Sequence, residues 1–416
     1  MELLKELPFE SYRGNDIRYG HLDEDQETDL VLVQSVDRKI TALTALTLEG
    51  KFLWQRGTPS LSRINDPGTD TPIQIIDFDG DQKDDVLYVA AGYLYILDGA
   101  TGQEKNRATL PMEMAKDSLF VFPTRVKGPI DRVLIKDRYN WGYVFDQSLK
   151  LLWIVSGNLG HFPAFLDADA DGQNEVMLGF RLFNGDGKLL WDIESQGSLR
   201  GHADAIAVGD LEGDGALEIA VATSNDAVVV NALTGEIRFK RPHLHTQHAL
   251  IGEFEIDSLG QEVIFLDREL GTNTSVIYCY SSNGKLLWKR KNLTYNAIIS
   301  KLISWGPNSP EDKIILFRTR DNSPVIIGRK GVIEEKISLP IFHSASIRKN
   351  SKRRFKNSSY VQHFDLSGDS RPEILINSQD GLWIYKNRAQ QNGSILLENQ
   401  KLPRERIFNQ TFYRGN

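Results

Sequence analysis

Between Gly160 and Phe180 the chain reads GHFPAFLDADADGQNEVMLGF, and two chemistries meet there. Asp167, Asp169 and Asp171 alternate, Gly172 follows, and Glu175 closes the run. Oxygen ligands at every second position, a glycine for the sharp turn and a late acid for two-oxygen closure are what a calcium loop requires. Electrostatics asks for a cation as well, because two carboxylates ~4 Å apart repel by roughly 4 kcal/mol at an effective dielectric near 20. Asp77, Asp79, Asp81 and Asp85 repeat the spacing, and Asp210, Glu212, Asp214 and Glu218 repeat it again with Gly215 at the turn. All three groups are expected to be Ca2+ ligands, with a solvated acidic turn as the alternative. Asp23, Asp25 and Asp29, with His21 where the first acid would stand, make a thinner copy, as do Asp365, Asp369 and Glu373. In each loop the first role of an ion is structural, so the catalytic signal lies elsewhere. Imidazoles, which exchange protons near neutral pH, are better candidates. His161 stands six residues before Asp167; His202 precedes the third loop, with Asp204 two residues beyond it.

The repeats predict the elements that position these groups. Each acidic run leads into a β-branched or apolar stretch, a turn and another stretch, as in DVLYVAAGYLYILDGATGQE from Asp85. Many units end on a turn and an aromatic: LEGKFLW to Trp54, LKLLW to Trp153, GDGKLLW to Trp191, NGKLLW to Trp288. Residues 120–153 and 301–335 have the strands without the carboxylates. Eight units result, starting near residues 15, 72, 118, 163, 204, 248, 298 and 360. Several short strands per unit, at a period of roughly 40–60 residues and with no helical periodicity, predict an all-β, eight-bladed β-propeller with calcium-binding loops. The reading takes 1–416 as one propeller domain, with the polar stretch 387–416 as a strap closing the ring. His161 and His202 then precede the innermost strands of successive blades and share one rim near the axis. RPHLHTQH (Arg241–His248) brings His243, His245 and His248 towards the same rim; sugar contact by His245 or His248 fits better than a metal cluster there, and ordinary loop packing fits better than either.

The loops, set in eight blades, resemble the rhamnogalacturonan lyases of polysaccharide lyase family 11. More generic FG-GAP propellers such as the integrin head share the loop but not the residues beyond it. Four stretches carry the closer resemblance: GNDIRYGHLDED (Gly14–Asp25), LEGKFLW, GHFPAFLDADADGQNEV, and GDGKLLWDIESQGSLRGHADAIAVGDLEGDGALEI (Gly185–Ile219). The last two are the most specific, because motif, order and interval agree. The resemblance implies β-elimination at a uronic acid in the rhamnose–galacturonate backbone of pectin, with calcium as cofactor. That reaction needs a cation or donor to neutralise the carboxylate, a base for the adjacent C–H and an acid for the leaving oxygen. Under this resemblance His161, His202 and Lys356 are the catalytic candidates, Lys356 in a shifted register of the loop RRFKNSSYVQHFD. Asn15, Asp16, Arg200, Asp204, His245 and His248 are the candidate substrate contacts. A related uronate–rhamnose polymer is a further substrate reading. The alternative is a non-catalytic FG-GAP propeller that binds glycan or protein, since propellers host many functions.

An acidic polysaccharide is the partner that the resemblance implies; bulk properties bear on the other classes of partner. The net charge of −7 over 416 residues does not suggest nucleic acid or an anionic membrane surface, and no apolar run has the length of a membrane span. A basic cluster, SIRKNSKRRFKN (346–357), could draw in a polyuronate by charge. The lone Cys279 lies in an apolar run and is expected to be a buried, inert thiol in a monomeric chain. The opening stretch MELLKELPFESYRG is no signal peptide. Calcium loops fill where calcium is plentiful, which favours an extracytoplasmic protein whose leader is not shown.

Overall fold

The structure is a computed structural model. It describes residues 1–387 apart from 10, 11, 15, 26, 38, 61–69, 113–116, 196–198, 200, 270, 304, 306–310, 320–322, 340–359, 367–370 and 379–380. Among these residues, thirty-two strands form eight four-stranded antiparallel sheets. Seven are consecutive meanders over residues 16–57, 73–109, 118–156, 164–192, 203–242, 246–294 and 298–336. The eighth takes three strands from residues 360–386, and Glu2–Pro8 adds its outermost strand by pairing with Gly381–Lys386. The eighth sheet is therefore completed by the segment nearest the amino end; of the stretch 387–416, which the sequence suggested as the strap, residues 388–416 lie outside the described residues. The only helix-like element among the described residues is a three-residue 3-10 turn at Arg329–Gly331. No helix among them is long and apolar enough to cross a membrane.

The central strands read as unbroken apolar runs because both of their faces are buried, unlike a half-solvated strand. In Glu218–Thr223, EIAVAT, Ile219 and Val221 join a cluster with Phe180 and Leu182 of the fourth blade. The alternate residues Ala220 and Ala222 join another with Ile251 and Phe265 of the sixth. Eight such clusters exist, one at each interface between neighbouring blades, including eighth with first, where Leu7 and Phe9 meet Ile17, Tyr19, Leu375 and Leu382. Fully burying one such aliphatic side chain stabilises by about 1.5–3 kcal/mol, which no isolated blade could gain.

Two sets of directional contacts tie the blades. On the outside, the aromatic that ends a blade docks on the next blade: the Trp54 indole N–H donates to the Gly99 carbonyl at 2.6 Å, and Trp191 to Ala232 at 2.9 Å. Trp54 lies flat against Gly102, whose φ of +67 and lack of a Cβ leave it room. Nearer the axis, polar groups on the inner strands and the loops beside them bridge each neighbouring pair. Arg18 donates to Ile73 O, Gln74 to Leu119 O, Lys301 to Ile251 O and Gln362 to Ile17 O. The remaining pairs are joined by Lys136, His161, Gln247 and the Ser300–His363 contact.

Antiparallel order also decides which face carries which chemistry. Acidic loops connect first strands to second strands and lie at one end of the blades; His161 and His202 precede the first strands Ala164–Leu166 and Ala203–Gly209 at the other. Cys279 is buried, as its apolar surroundings suggested.

Candidate functional site

Asp204 is the centre of the site. It is 1 % exposed, and its Oδ1 accepts from the Gln247 side-chain amide at 2.7 Å. The same oxygen lies 3.3 Å from His202 Nε2 and 3.4 Å from His161 Nε2, while His245 Nε2 lies 3.4 Å from Oδ2. Fourth, fifth and sixth blades thus converge on one carboxylate. Two β-bulges produce the aim. The ladder shifts between Ala203 and Ala205 and again between Thr246 and His248, so Asp204 and Gln247 are the extra residues that leave the pleat.

Neighbouring loops lock the rings. The His161 amide donates to Ala203 O at 2.8 Å. His202 is held by Ser224, whose hydroxyl lies 3.2 Å from Nδ1 and accepts the His202 amide at 3.1 Å. Asp267 accepts the backbone amides of Leu244 and His245 and so fixes the loop that carries His245. Tyr139 lies against both first histidines, with ring centres 5.1 Å from His161 and 5.0 Å from His202, and its hydroxyl is 3.4 Å from His161 Nε2. Asp137 turns the chain there by accepting three successive amides, Tyr139 to Trp141. Beneath, the buried Lys136 ammonium donates to the carbonyls of Asp137, Arg138, Gly160 and His161, clamping the loops of Tyr139 and His161 together. Burial pushes Lys136 down to about 7, while the four carbonyl oxygens favour its charged form.

Burial pushes His161 down to about 2, against the pull of Asp204, so the ring is neutral. Burial acts to raise Asp204, but hydrogen bonds from His202 and His245 hold it down at about 2, so the carboxylate is charged. So weak a base does not remove a carbon-bound proton near neutral pH, but a neutral imidazole is a good metal ligand. His161, His202 and Asp204 present ligand atoms within 4.8 Å of one another and could hold a metal ion. Burial raises the Tyr139 hydroxyl pKa and keeps it protonated.

Other expected site residues fall differently. Asp16 is buried in the first blade, on the far side of the ring, where it pairs with Arg18 at 2.7 Å. Arg18 also reaches Asp70, so this pair is part of the axial bracing. His248 is buried and pushed down to about 3, chiefly by desolvation, so it supports the rim from below rather than facing a ligand. Asn15, Arg200, Lys356 and the basic stretch 346–357 lie outside the described residues. Tyr139, Gln247 and Lys136 had no motif to announce them; only their position at the rim-facing ends of strands could have.

On the opposite face, the late acid of each loop accepts a backbone amide seven residues earlier. Asp85 takes Phe78 N at 3.2 Å, Glu175 takes Ala168 N at 2.7 Å and Glu218 takes Leu211 N at 3.0 Å. The loops differ in what else they hold. In the fourth blade, Asp167, Asp169 and Glu175 bring ligand oxygens within 4.8 Å, and no basic side chain among the described residues enters, so the residues fit a metal ion. In the second blade, Asp77, Asp79 and Asp81 cluster equally well, but the Lys105 ammonium lies among them, bonded to Asp79, to Asp81 at 3.2 Å and to Asp85 at 2.9 Å. In the fifth, the Arg238 guanidinium bonds Glu212 and Glu218. Calcium fits the fourth-blade loop, whereas the other two already contain a cation of the chain.

The chain matches no protein-family model and no curated protein. Solved structures similar to it share the propeller. An exotype rhamnogalacturonan lyase, YesX, aligns with a TM-score of 0.68 and 18% identity, covering 92% of this chain and 75% of that one. A rhamnogalacturonan lyase of Bacillus licheniformis gives 0.62 and 17%, covering 92% and 76%. The V. cholerae biofilm matrix protein Bap1 gives 0.60 and 13%, covering 91% and 89%. At these identities the likeness establishes the fold: a β-propeller whose structural relatives include lyases and proteins of other kinds.

Proposed function

We propose that the histidine-lined rim binds an acidic polysaccharide and cleaves it by β-elimination at a uronic acid of rhamnogalacturonan or a related rhamnose–uronate polymer. The convergence of His161, His202, His245 and Asp204 from three blades on one point supports this reading. A divalent cation held by His161, His202 and Asp204 would supply positive charge to a uronate carboxylate and so acidify the neighbouring C–H. Asp204, fixed by Gln247, keeps the three imidazoles oriented. Tyr139, protonated and beside the rings of His161 and His202, is placed to donate a proton to the departing glycosidic oxygen. The sequence candidate for the base is Lys356. Rhamnogalacturonan incubated with the protein and calcium should gain ultraviolet absorbance from the new carbon–carbon double bond. His161→Ala and His202→Ala should each lower the rate by about 100-fold or more. Full activity in both variants would remove the site; no absorbance with any uronic polymer would remove the reaction.

A second reading, a non-catalytic glycan-binding propeller, is favoured by one observation. Among the described residues, the lysine at the cluster is Lys136, and its three protons are shared among four carbonyls. Retardation of acidic polymers without any absorbance change would select this reading.

A further inference from the structure

The loop between the first two strands of the third blade keeps the frame of the acidic loops and loses their charge. Asp131 accepts the Thr124 amide, seven residues back, at 2.6 Å, as the late acids do in the second, fourth and fifth blades. Counted back from Asp131, the places that Asp167, Asp169, Asp171 and Gly172 hold in the fourth blade fall to Pro123, Arg125, Lys127 and Gly128. The glycine stays, but two cationic residues replace oxygen donors, so this loop is unfit for a metal ion.

It docks instead on the acidic loop of the fourth blade. Arg125 and Gln173 form an antiparallel bridge. The Val126 amide donates to the Gly172 carbonyl at 3.1 Å, and the Asn174 amide donates to the Thr124 carbonyl at 2.8 Å. The Asn174 side-chain amide adds a bond to the Pro123 carbonyl at 2.9 Å. In this register the bonds lie on either side of the pair, and Arg125 and Gln173 exchange none themselves. The amide and carbonyl of Gln173 therefore both turn away from the third blade. The amide meets Asp171 Oδ1 at 2.7 Å, so the carbonyl faces the acids as well. Gln173 stands seventh from Asp167, one after the glycine, which is where a calcium loop contributes its backbone carbonyl.

We propose that residues 124–126 of the third blade complete the fourth-blade ion site from outside. By pairing on both sides of Gln173 they hold its carbonyl towards Asp167, Asp169 and Glu175, so calcium and the docked loop stabilise each other. The proposal rests on the fit of that loop to calcium and is independent of the histidine rim, which lies on the opposite face. The coupling is reciprocal: docking strengthens calcium binding by the factor with which calcium strengthens docking. Val126→Pro tests it with little other damage. Residues 125–128 form a turn closed by Gly128 N–H to the Arg125 carbonyl at 2.8 Å, with a φ of +60 at Lys127. Proline suits the second position of such a turn, so the substitution removes the amide that holds Gly172 and keeps the turn.

Dye-competition titration of the full chain with calcium should show one site whose dissociation constant rises about two- to tenfold in Val126→Pro, with the number of ions unchanged. Trypsin reads the opposite direction. Lys127 is exposed at the tip of the loop, and cleavage after it needs the loop to lift away. Calcium should slow that cleavage in the native protein and slow it by a smaller factor in Val126→Pro. Asp169→Asn, which weakens the ion site itself, should remove the protection. A merely structural clamp would lower the thermal midpoint of Val126→Pro equally in calcium and in chelator, whereas the coupled one lowers it more in calcium. Asn174→Ala, which frees the Pro123 carbonyl, should act in the same direction and serves if Val126→Pro does not fold. Equal dissociation constants in the native protein and both variants overturn the clamp and leave the ion site standing. No calcium-dependent protection of Lys127 in the native protein overturns the coupling. Neither measurement involves polymer cleavage, so this proposal and the elimination reading fail separately.

Discussion

A single extra residue in each of two strands aims Asp204 and Gln247, and the same neighbourhood dictates how the buried histidines titrate. His248 shares its strand with Gln247 but stays in the ladder, opposite Leu266, and is buried. Desolvation, followed by the charge of Arg268, pushes it down to about 3, well below the ordinary histidine value. Proton counting gives the sign. Between about 3 and 6.5 the unfolded chain holds a proton on this ring that the folded chain does not, so this residue makes acid favour unfolding. His248→Gln removes that proton-linked term and leaves the rest of the chain's titration unchanged. The native protein should therefore lose stability relative to the variant by about 1.4 kcal/mol for each pH unit below 6.5, reaching on the order of 2 kcal/mol at pH 5. Urea unfolding of both proteins at pH 7.5 and pH 5 measures the difference. A gap independent of pH would mean that the ring is solvated or charged in the folded state.

Within a blade, the loop joining the first two strands and the bulge in the fourth act as one device. The fourth strand of the second blade leaves Lys105 unpaired between Glu104 and Asn106, and that of the fifth leaves Arg238 between Ile237 and Phe239. Both reach the late acid of their own loop. In the fourth blade the bulged residue is Leu190, 48% exposed, and Glu175 has no basic neighbour among the described residues. The seventh blade carries the same pair with its charges exchanged: Lys313 begins the second strand and bonds Glu334, the bulged residue, at 2.9 Å. Charge compensation at this joint is thus built into the sheet, by an ammonium, by a guanidinium or, in the fourth blade, by room for an ion. Leu190→Lys should cost the protein one bound Ca2+, and Lys105→Leu should add one while lowering stability in chelator. At calcium a hundred times its dissociation constant, each site changes stability by about 2.7 kcal/mol. Competition titration with a calcium dye counts the ions, and an unchanged count in Leu190→Lys would sink the assignment.

At the scale of the whole ring, the sequence was legible wherever a residue's neighbours along the chain are also its physical partners. Eight sheets could be counted because apolar central strands and acidic turns recur in register, and His161 and His202 could be placed together because each precedes an innermost strand. The aim of Gln247 and the position of Tyr139 depend on bulges and on contacts between blades, which spacing does not encode. The closing strand escaped for a related reason. ELLKELP lies on an outer edge, mixes charged and apolar residues and carries no acidic loop, so nothing in it resembles a blade. Its work is done by Leu7 and, just beyond it, Phe9, which is 1 % exposed among Ile17, Tyr19 and Leu30 of the first blade and Leu375 of the last. Leu4 on the same segment is 50% exposed. If these residues hold the ring shut, Phe9→Ala should cost about 3–5 kcal/mol, as a buried aromatic in a well-filled core does. Leu4→Ala should stay within about 0.5 kcal/mol of the native protein. Because a ring has no free end from which to fray, the loss at Phe9 should appear as one shifted cooperative transition in denaturant, seen alike by tryptophans in the first and last blades. Equal midpoints for the two variants would show that the last blade is stable without its borrowed strand.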